Sequence, residues 1–138
     1  MKKLSSALKM NSKQPPTELP PANVLAKNCP SREVLHNVTG RWGLLVFRAL
    51  GDKKKHRFSE LRRTITGVSE KMLAQTLQQL ENDGFVERIV HPVVPPHVEY
   101  QLTPLGAEFS KRVAALMNWI EGNLDRVLES REVKSSEE

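Results

Sequence analysis

The sequence predicts a mainly α fold carrying one small β-hairpin, an α+β arrangement. Three observations carry this expectation. Two short helical patterns, each with leucines at helical spacing, are separated by the tight turn Thr66-Gly67-Val68. Two stretches rich in β-forming residues, Phe85–Val90 and Val98–Leu102, follow directly and are joined by a proline-interrupted loop, Pro92–Pro96. The chain then closes on a long amphipathic helix that opens at Thr103-Pro104, a capping residue followed by proline at the first helical position.

Residues 1–28 are rich in Lys, Ser and Pro, and Pro15, Pro16, Pro20 and Pro21 interrupt any helix longer than one near Leu4–Met10. They read as a mobile basic arm, either touching DNA phosphates or forming an ordinary loose terminus. The folded part spans 29–130. Ser31 is placed to cap a helix over Arg32–Asn37, with Val34, Leu35 and Val38 as its apolar side. After Gly40, Trp42, Leu44, Leu45, Val46, Phe47, Ala49 and Leu50 form a core helix closed by Gly51-Asp52.

Lys53-Lys54-Lys55-His56 is a charged turn, and Arg57-Phe58 is a candidate short strand. Ser59 is placed as the cap of a helix carrying Leu61 and Ile65, and Ser69 as the cap of a helix from Glu70 to Asn82 that Gly84 ends. Helix, short turn and helix make a helix-turn-helix, and the strand pair directly after it makes a wing. In the last helix, read as running to about Glu129, Leu105, Phe109, Val113, Leu116, Ile120, Leu124 and Val127 follow one another at intervals of three or four. This apolar stripe exceeds what one small domain covers, and part of it is assigned to a dimer interface. Residues 131–138 are read as a C-terminal tail.

The chain carries a net charge of +5, which favours an acidic partner, nucleic acid first. The charge is uneven: Lys53–His91 is net +3, whereas Pro104–Glu138 is net −2. The longest apolar run, Leu44–Phe47, is far below the roughly 20 residues of a membrane span. No apolar stretch follows the basic Met1-Lys2-Lys3 as a signal peptide requires, so a cytoplasmic location and no membrane partner are expected.

On the 70–82 helix, a turn of about 100° per residue puts Leu73, Leu77 and Leu80 on one side. Lys71, Gln75, Gln78 and Asn82 fall on the other, a row able to hydrogen-bond base edges in a major groove, or simply the wet face of a surface helix. Residues near a reading helix's N-terminus reach deepest, so Ser69, Glu70, Lys71 and Gln75 lead the candidates, with Gln78 behind them. Arg62 and Arg63 are candidate phosphate contacts or solvated charges. In the wing, His91 and His97 raise the question of a metal, but no third ligand stands at a convincing spacing; His97 is read as a phosphate or minor-groove contact, or as a simply exposed side chain.

Cys29, the single cysteine, precedes a helix start and lies near Lys27 and Arg32, a setting that favours thiolate. It is either an oxidant- or electrophile-sensing thiol or a small, partly buried one. Neither a phosphate-cradling glycine loop, a nucleophile elbow nor a zinc-protease motif is found, so neither an enzyme nor a cofactor is expected.

Cys29-Pro30, Gly40-Arg41-Trp42, Arg57 through Arg63, Val68 through Leu73, Asp83-Gly84-Phe85-Val86, and the closing Glu99-Tyr100, Leu102-Thr103 and Gly106 together resemble the HxlR-type transcriptional regulators. The resemblance covers about residues 29–125. It implies a homodimer held by the first and last helices, which brings Val34 and Leu35 to the interface beside Phe109, Val113, Leu116, Ile120 and Leu124. It also implies binding to an inverted repeat in double-stranded DNA, with the 69–82 helix in the major groove and the Pro92–His97 loop along the backbone. Some members sense quinones, aldehydes or oxidants through a cysteine equivalent to Cys29. The long arm and the proline-dense wing depart from the family pattern. The expected function is therefore a DNA-binding regulator, a repressor, with thiol control at Cys29. Its rivals are a winged-helix module that binds a protein or small ligand, and a small redox enzyme built on Cys29, which lacks a second cysteine.

Overall fold

The computed structural model describes residues 21–137. Residues 1–20, including the helix expected near Leu4–Met10, lie outside the described residues. The chain divides into two compact units, Met1–Leu35 and His36–Glu138. In the first, the Asn23 carboxamide oxygen accepts the Leu25 N–H at 3.0 Å, and the Asn23 carbonyl accepts the Ala26 N–H at 3.0 Å. This turn leads into helix α1, Pro30–Thr39, which runs on into the second unit. The helix starts one residue before Ser31, so Ser31 is a first-turn residue and not the preceding cap. Pro30 suits the opening position because its missing N–H would have had no helical partner there.

In the second unit, α2 spans Arg41–Ala49 and ends in a 3₁₀ turn, Leu50–Asp52. Lys53 takes the left-handed conformation (φ 64°), and the Asp52 carboxylate accepts both the Lys54 N–H and a bond from His56 Nε2. The chain then enters a two-residue strand β1, His56–Arg57. Helix α3 follows at once, Phe58–Thr64, so Ser59 is inside the helix and does not cap it. The Glu60 carboxylate reaches back instead, accepting the Arg57 N–H at 2.8 Å.

Helix α4 spans Glu70–Asn82, and Ser69 caps it as expected, its Oγ accepting the Met72 N–H at 3.1 Å. Strands β2, Val86–His91, and β3, His97–Leu102, pair antiparallel from Val86↔Leu102 to His91↔His97. The small strand β1 pairs with the other edge of β3, through His56↔Tyr100 and Arg57↔Glu99. The sheet thus has three strands in the order β1-β3-β2, one more than the hairpin alone.

Thr103 joins the wing to α5, Pro104–Gly122. Its hydroxyl accepts the Gly106 N–H at 3.0 Å and donates to the Gly84 carbonyl at 2.6 Å, while its N–H donates to the Phe85 carbonyl at 3.0 Å. The long helix expected to reach Glu129 without interruption is broken at Asn123, where α5 ends and α6, Leu124–Glu137, begins. Asn123 Nδ2 donates to the Trp119 carbonyl, offering that carbonyl a side-chain partner at the break. The segment assigned to a tail, 131–138, is helical as far as Glu137.

The core is built on Phe47, which is fully buried. Its ring meets Phe85 edge-on at 5.6 Å and Phe109 at 4.8 Å, and these two lie 5.6 Å apart. Around this trio pack Val46 and Leu50 of α2, Leu61 of α3, Leu73, Leu77 and Leu80 of α4, Val86 and Leu102 of the wing, and Val113 of α5. Val113 is only 3% exposed. It therefore belongs to this chain's own core, and its assignment to a dimer interface is corrected; Phe109, half-buried, packs against that core. The reason is the phase of α5: its first half turns Gly106, Ser110 and Val113 inward, whereas Leu105 and the stripe from Leu116 onward stay uncovered.

Two close approaches require glycine. At Gly43 a Cβ would crowd the carbonyls of Asn37 and Val38 at the end of α1. At Gly106 it would overlap the Phe85 carbonyl. Gly106→Ala is expected to lower stability by about 2–4 kcal/mol, through overpacking against backbone that has no room to yield. Gly122→Ala, with nothing near its Cβ, is expected to be neutral or stabilising by up to about 1 kcal/mol. Urea unfolding of both variants, followed by circular dichroism, checks the contrast.

Candidate nucleic-acid interface

The reading face of α4 follows from how its opposite face is held. Leu73, Leu77 and Leu80 are at most 1% exposed, and Val68 and Ile65 anchor the turn before the helix. Gly67 supplies the left-handed conformation (φ 91°) that the turn needs. Thr76 is also buried, and its hydroxyl donates to the Met72 carbonyl at 2.8 Å, so no polar group is lost beneath the helix. With that side fixed, Lys71, Gln75, Gln78 and Asn82 are all exposed. The row is not wholly polar: Met72 is 40% exposed among them, an apolar side chain able to meet a thymine methyl.

Ser69 is exposed, but its hydroxyl is engaged as the helix cap. Glu70 faces Arg62 across the turn, with Arg62 Nη1 and Glu70 Oε1 3.9 Å apart. The two helices of the motif thus share a surface ion pair, and Arg63 stands exposed beside it on α3. Gln78 and Ala74 also wall a shallow cleft between α4 and the sheet, completed by Glu81, Arg88 and Tyr100.

The wing differs from expectation at its histidines. His97 opens β3 opposite His91, one residue before the expected strand, and the rings stack at 4.5 Å with 24° between their planes. His91 Nε2 lies 2.6 Å from Glu99 Oε1. Glu99 is the third ligand-type residue that sequence spacing did not reveal. The signal was the pleat: with His97 opposite His91, the residue two positions along β3 falls on the same face. Among the described residues, these three are the group able to hold a metal ion.

Cys29 lies just ahead of α1. Its Sγ is 3.0 Å from Ser31 Oγ and 3.4 Å from the Asn23 N–H. The Ser31 hydroxyl, then the Asn23 and Ser31 N–H groups, hold the thiol below its ordinary range, against a small opposing effect of burial. The causes are local hydrogen bonds, one of them from the first turn of α1, and neither Lys27 nor Arg32 is among them. The turn 21–31 surrounds the sulfur with a concave surface of Pro21, Ala22, Ala26 and Pro30.

The final helices expose Leu116, Trp119, Ile120, Leu124, Val127 and Leu128, each between 38% and 59%. Trp119 was missed because it sits beside the counted stripe and not on it. On α1, Val34 and Leu35 are also exposed, at 36% and 43%. No helix of the described residues is long and apolar enough to cross a membrane.

Residues 37–128 match the model of the HxlR-like helix-turn-helix family. The chain belongs to this family. Within the HxlR group it is similar to the HTH-type transcriptional regulator YtfH of Escherichia coli (strain K12), 60% identical over 119 residues, with 86% of this chain and 94% of that protein covered. The solved structure of YtfH from Salmonella typhimurium is 63% identical, with a TM-score of 0.76 over 80% of this chain and 98% of that one. The reduced form of the redox regulator HypR is 40% identical, with a TM-score of 0.65 over 73% of this chain and 98% of that one. This HxlR chain is a transcriptional regulator with a winged helix-turn-helix domain, and its relatives are regulators and not enzymes.

The hydrogen bonds at Cys29 lead to a direct expectation. In Ser31→Ala the thiol loses its first donor, so the midpoint of its pH profile for alkylation by iodoacetamide moves to higher pH. Lys27→Ala leaves that midpoint near the parent value. Rates measured across neutral and alkaline pH check both.

Proposed function

We propose that the protein is a homodimeric, sequence-specific DNA-binding repressor, acting in the cytoplasm on an inverted repeat. The observation that carries this reading is the exposed row Lys71, Gln75, Gln78 and Asn82 on a helix pinned from behind by three buried leucines. Such a row suits the major-groove edges of guanine and adenine. Arg62 and Arg63 then fall to phosphates, and the two reading helices of a dimer lie about 34 Å apart, one DNA turn. The 1–28 arm, with five lysines against one acid, adds cationic charge to the same partner.

The homodimer is supported by the uncovered apolar row from Leu116 to Leu128, to which Trp119 contributes the largest ring. Control by an oxidant or electrophile at Cys29 is supported by its activated thiol and by the likeness to HypR, a redox regulator. In this scheme modification of Cys29 displaces α1 and changes the spacing of the reading helices.

The test is binding of the purified protein to its own upstream DNA, at two salt concentrations, with and without diamide. Tight binding that weakens steeply with salt is expected, and its loss on oxidation locates the switch. Salt-insensitive or absent binding, also after selection from random DNA, would favour a module that binds a protein or a small ligand. Lys71→Ala is expected to cost about 1–3 kcal/mol of operator affinity, read by fluorescence anisotropy. Ile120→Asp is expected to shift the protein toward monomer in sedimentation equilibrium, because it places a charge within the apolar row.

A further inference from the structure

We propose that His91, His97 and Glu99 form a binding site for a divalent transition-metal ion, zinc above all, at the tip of the wing. The site follows from the hairpin register. His91 and His97 are the last cross-strand pair before the loop, and Glu99 follows His97 by two residues, so the pleat sets all three on one face. Their donor atoms lie within 4.8 Å of one another. The shortest separation, 2.6 Å, is between His91 Nε2 and Glu99 Oε1, and the two imidazoles stack at 4.5 Å.

A tetrahedral zinc ion binds nitrogen and oxygen at about 2.0–2.2 Å, which sets the donors about 3.4 Å apart. The His91–Glu99 pair must open by under an ångström, and the widest separation in the group, at most 4.8 Å, must close by up to about 1.4 Å. The two imidazoles must also turn out of their stack, so that their in-plane lone pairs converge on the ion. The rims are already restrained, since the His91 and Glu99 side chains are only 34% and 22% exposed. Two imidazole nitrogens and one carboxylate suit zinc, cobalt, nickel or copper and do not suit magnesium or calcium, which prefer all-oxygen shells. Three protein ligands leave a fourth position for water or for an oxygen of a phosphate group.

The wing's own charge gives this site a use. From Ile89 to Gln101 the hairpin contains no Lys or Arg, and its one formally charged side chain is Glu99. A wing of that composition repels phosphate. A bound dication changes the local charge from −1 to +1 and fastens the two strands together beside the loop. This second part rests on the DNA-binding reading above, whereas the metal site does not.

The experiment titrates the full-length, metal-free protein with Zn²⁺ against a chromophoric chelator, and with Co²⁺ followed by visible absorption. No DNA is present. One ion per chain is expected, with micromolar affinity, and Cys29→Ser is expected to bind alike. His91→Ala, His97→Ala and Glu99→Gln should each weaken binding by at least about tenfold. Metal-free circular dichroism and thermal unfolding separate loss of a ligand from loss of folding, because His91 and Glu99 are half-buried and bonded to each other. Failure of the parent to take up Zn²⁺, uptake unchanged in the three variants, or uptake lost in Cys29→Ser would overturn the site. In a separate arm, Zn²⁺ should strengthen binding to random-sequence duplex by the parent and not by His97→Ala. An equal effect on both proteins would overturn the role in the wing's charge, and no binding of any duplex would count against the DNA-binding reading instead.

Discussion

Everything in the second unit depends on one packing event, the burial of Phe47 between Phe85 and Phe109. Each ring belongs to a different part of the fold: the core helix α2, the turn that leaves the reading helix, and the first half of α5. Edge-to-face contacts of this kind add about 0.5–1.5 kcal/mol per pair beyond the burial of apolar area. Their greater effect is geometric. Three rings at 4.8–5.6 Å leave little freedom in the distances between the elements that carry them. The leucines of α4 and the wing residues Val86 and Leu102 then close on the same centre.

The polar groups inside this core are few, and they are satisfied. Ser110, buried on α5, directs its hydroxyl to the Phe47 carbonyl, and Thr76 returns its hydroxyl to its own helix. Among the described residues no buried side-chain nitrogen or oxygen lacks a partner. An interior of this kind holds its helices in one arrangement and so fixes the exposed face of α4. The exposed side of α4 can therefore carry lysine and glutamines without regard to folding.

Much of this was legible from residue patterns. Leucines at 73, 77 and 80, the Ser69 cap and the proline after Thr103 each act locally, so local rules located α4 and the start of α5. The failures were long-range. Nothing near His56 states that β3 will pair with it, and nothing near Phe109 or Val113 states that α2 will cover them. The stripe of the last helix read as continuous because periodicity is blind to Asn123, whose side chain bonds the Trp119 carbonyl and Arg126 at the break. Glu99 was invisible for the same reason: its partnership with His91 exists only across a strand pair. The residues around Cys29 point to a lowered thiol pKa, but the donors from Ser31 and Asn23 that lower it are set by the local fold.

Thr103 occupies the corner between the wing and α5. Three hydrogen bonds join this residue to Gly84, Phe85 and Gly106, at the exit of the reading helix and the entrance of α5. Elements tied so closely move as one body. The nineteen residues of α5 make a rod of about 28 Å. A tilt of about 4° at the corner displaces its far end by about 2 Å, and the same leverage runs in reverse from the exposed end of the rod to the reading face. The corner thus ties the direction of α5 to the exit of α4, so the exposed end of one and the exposed face of the other share a single geometric constraint.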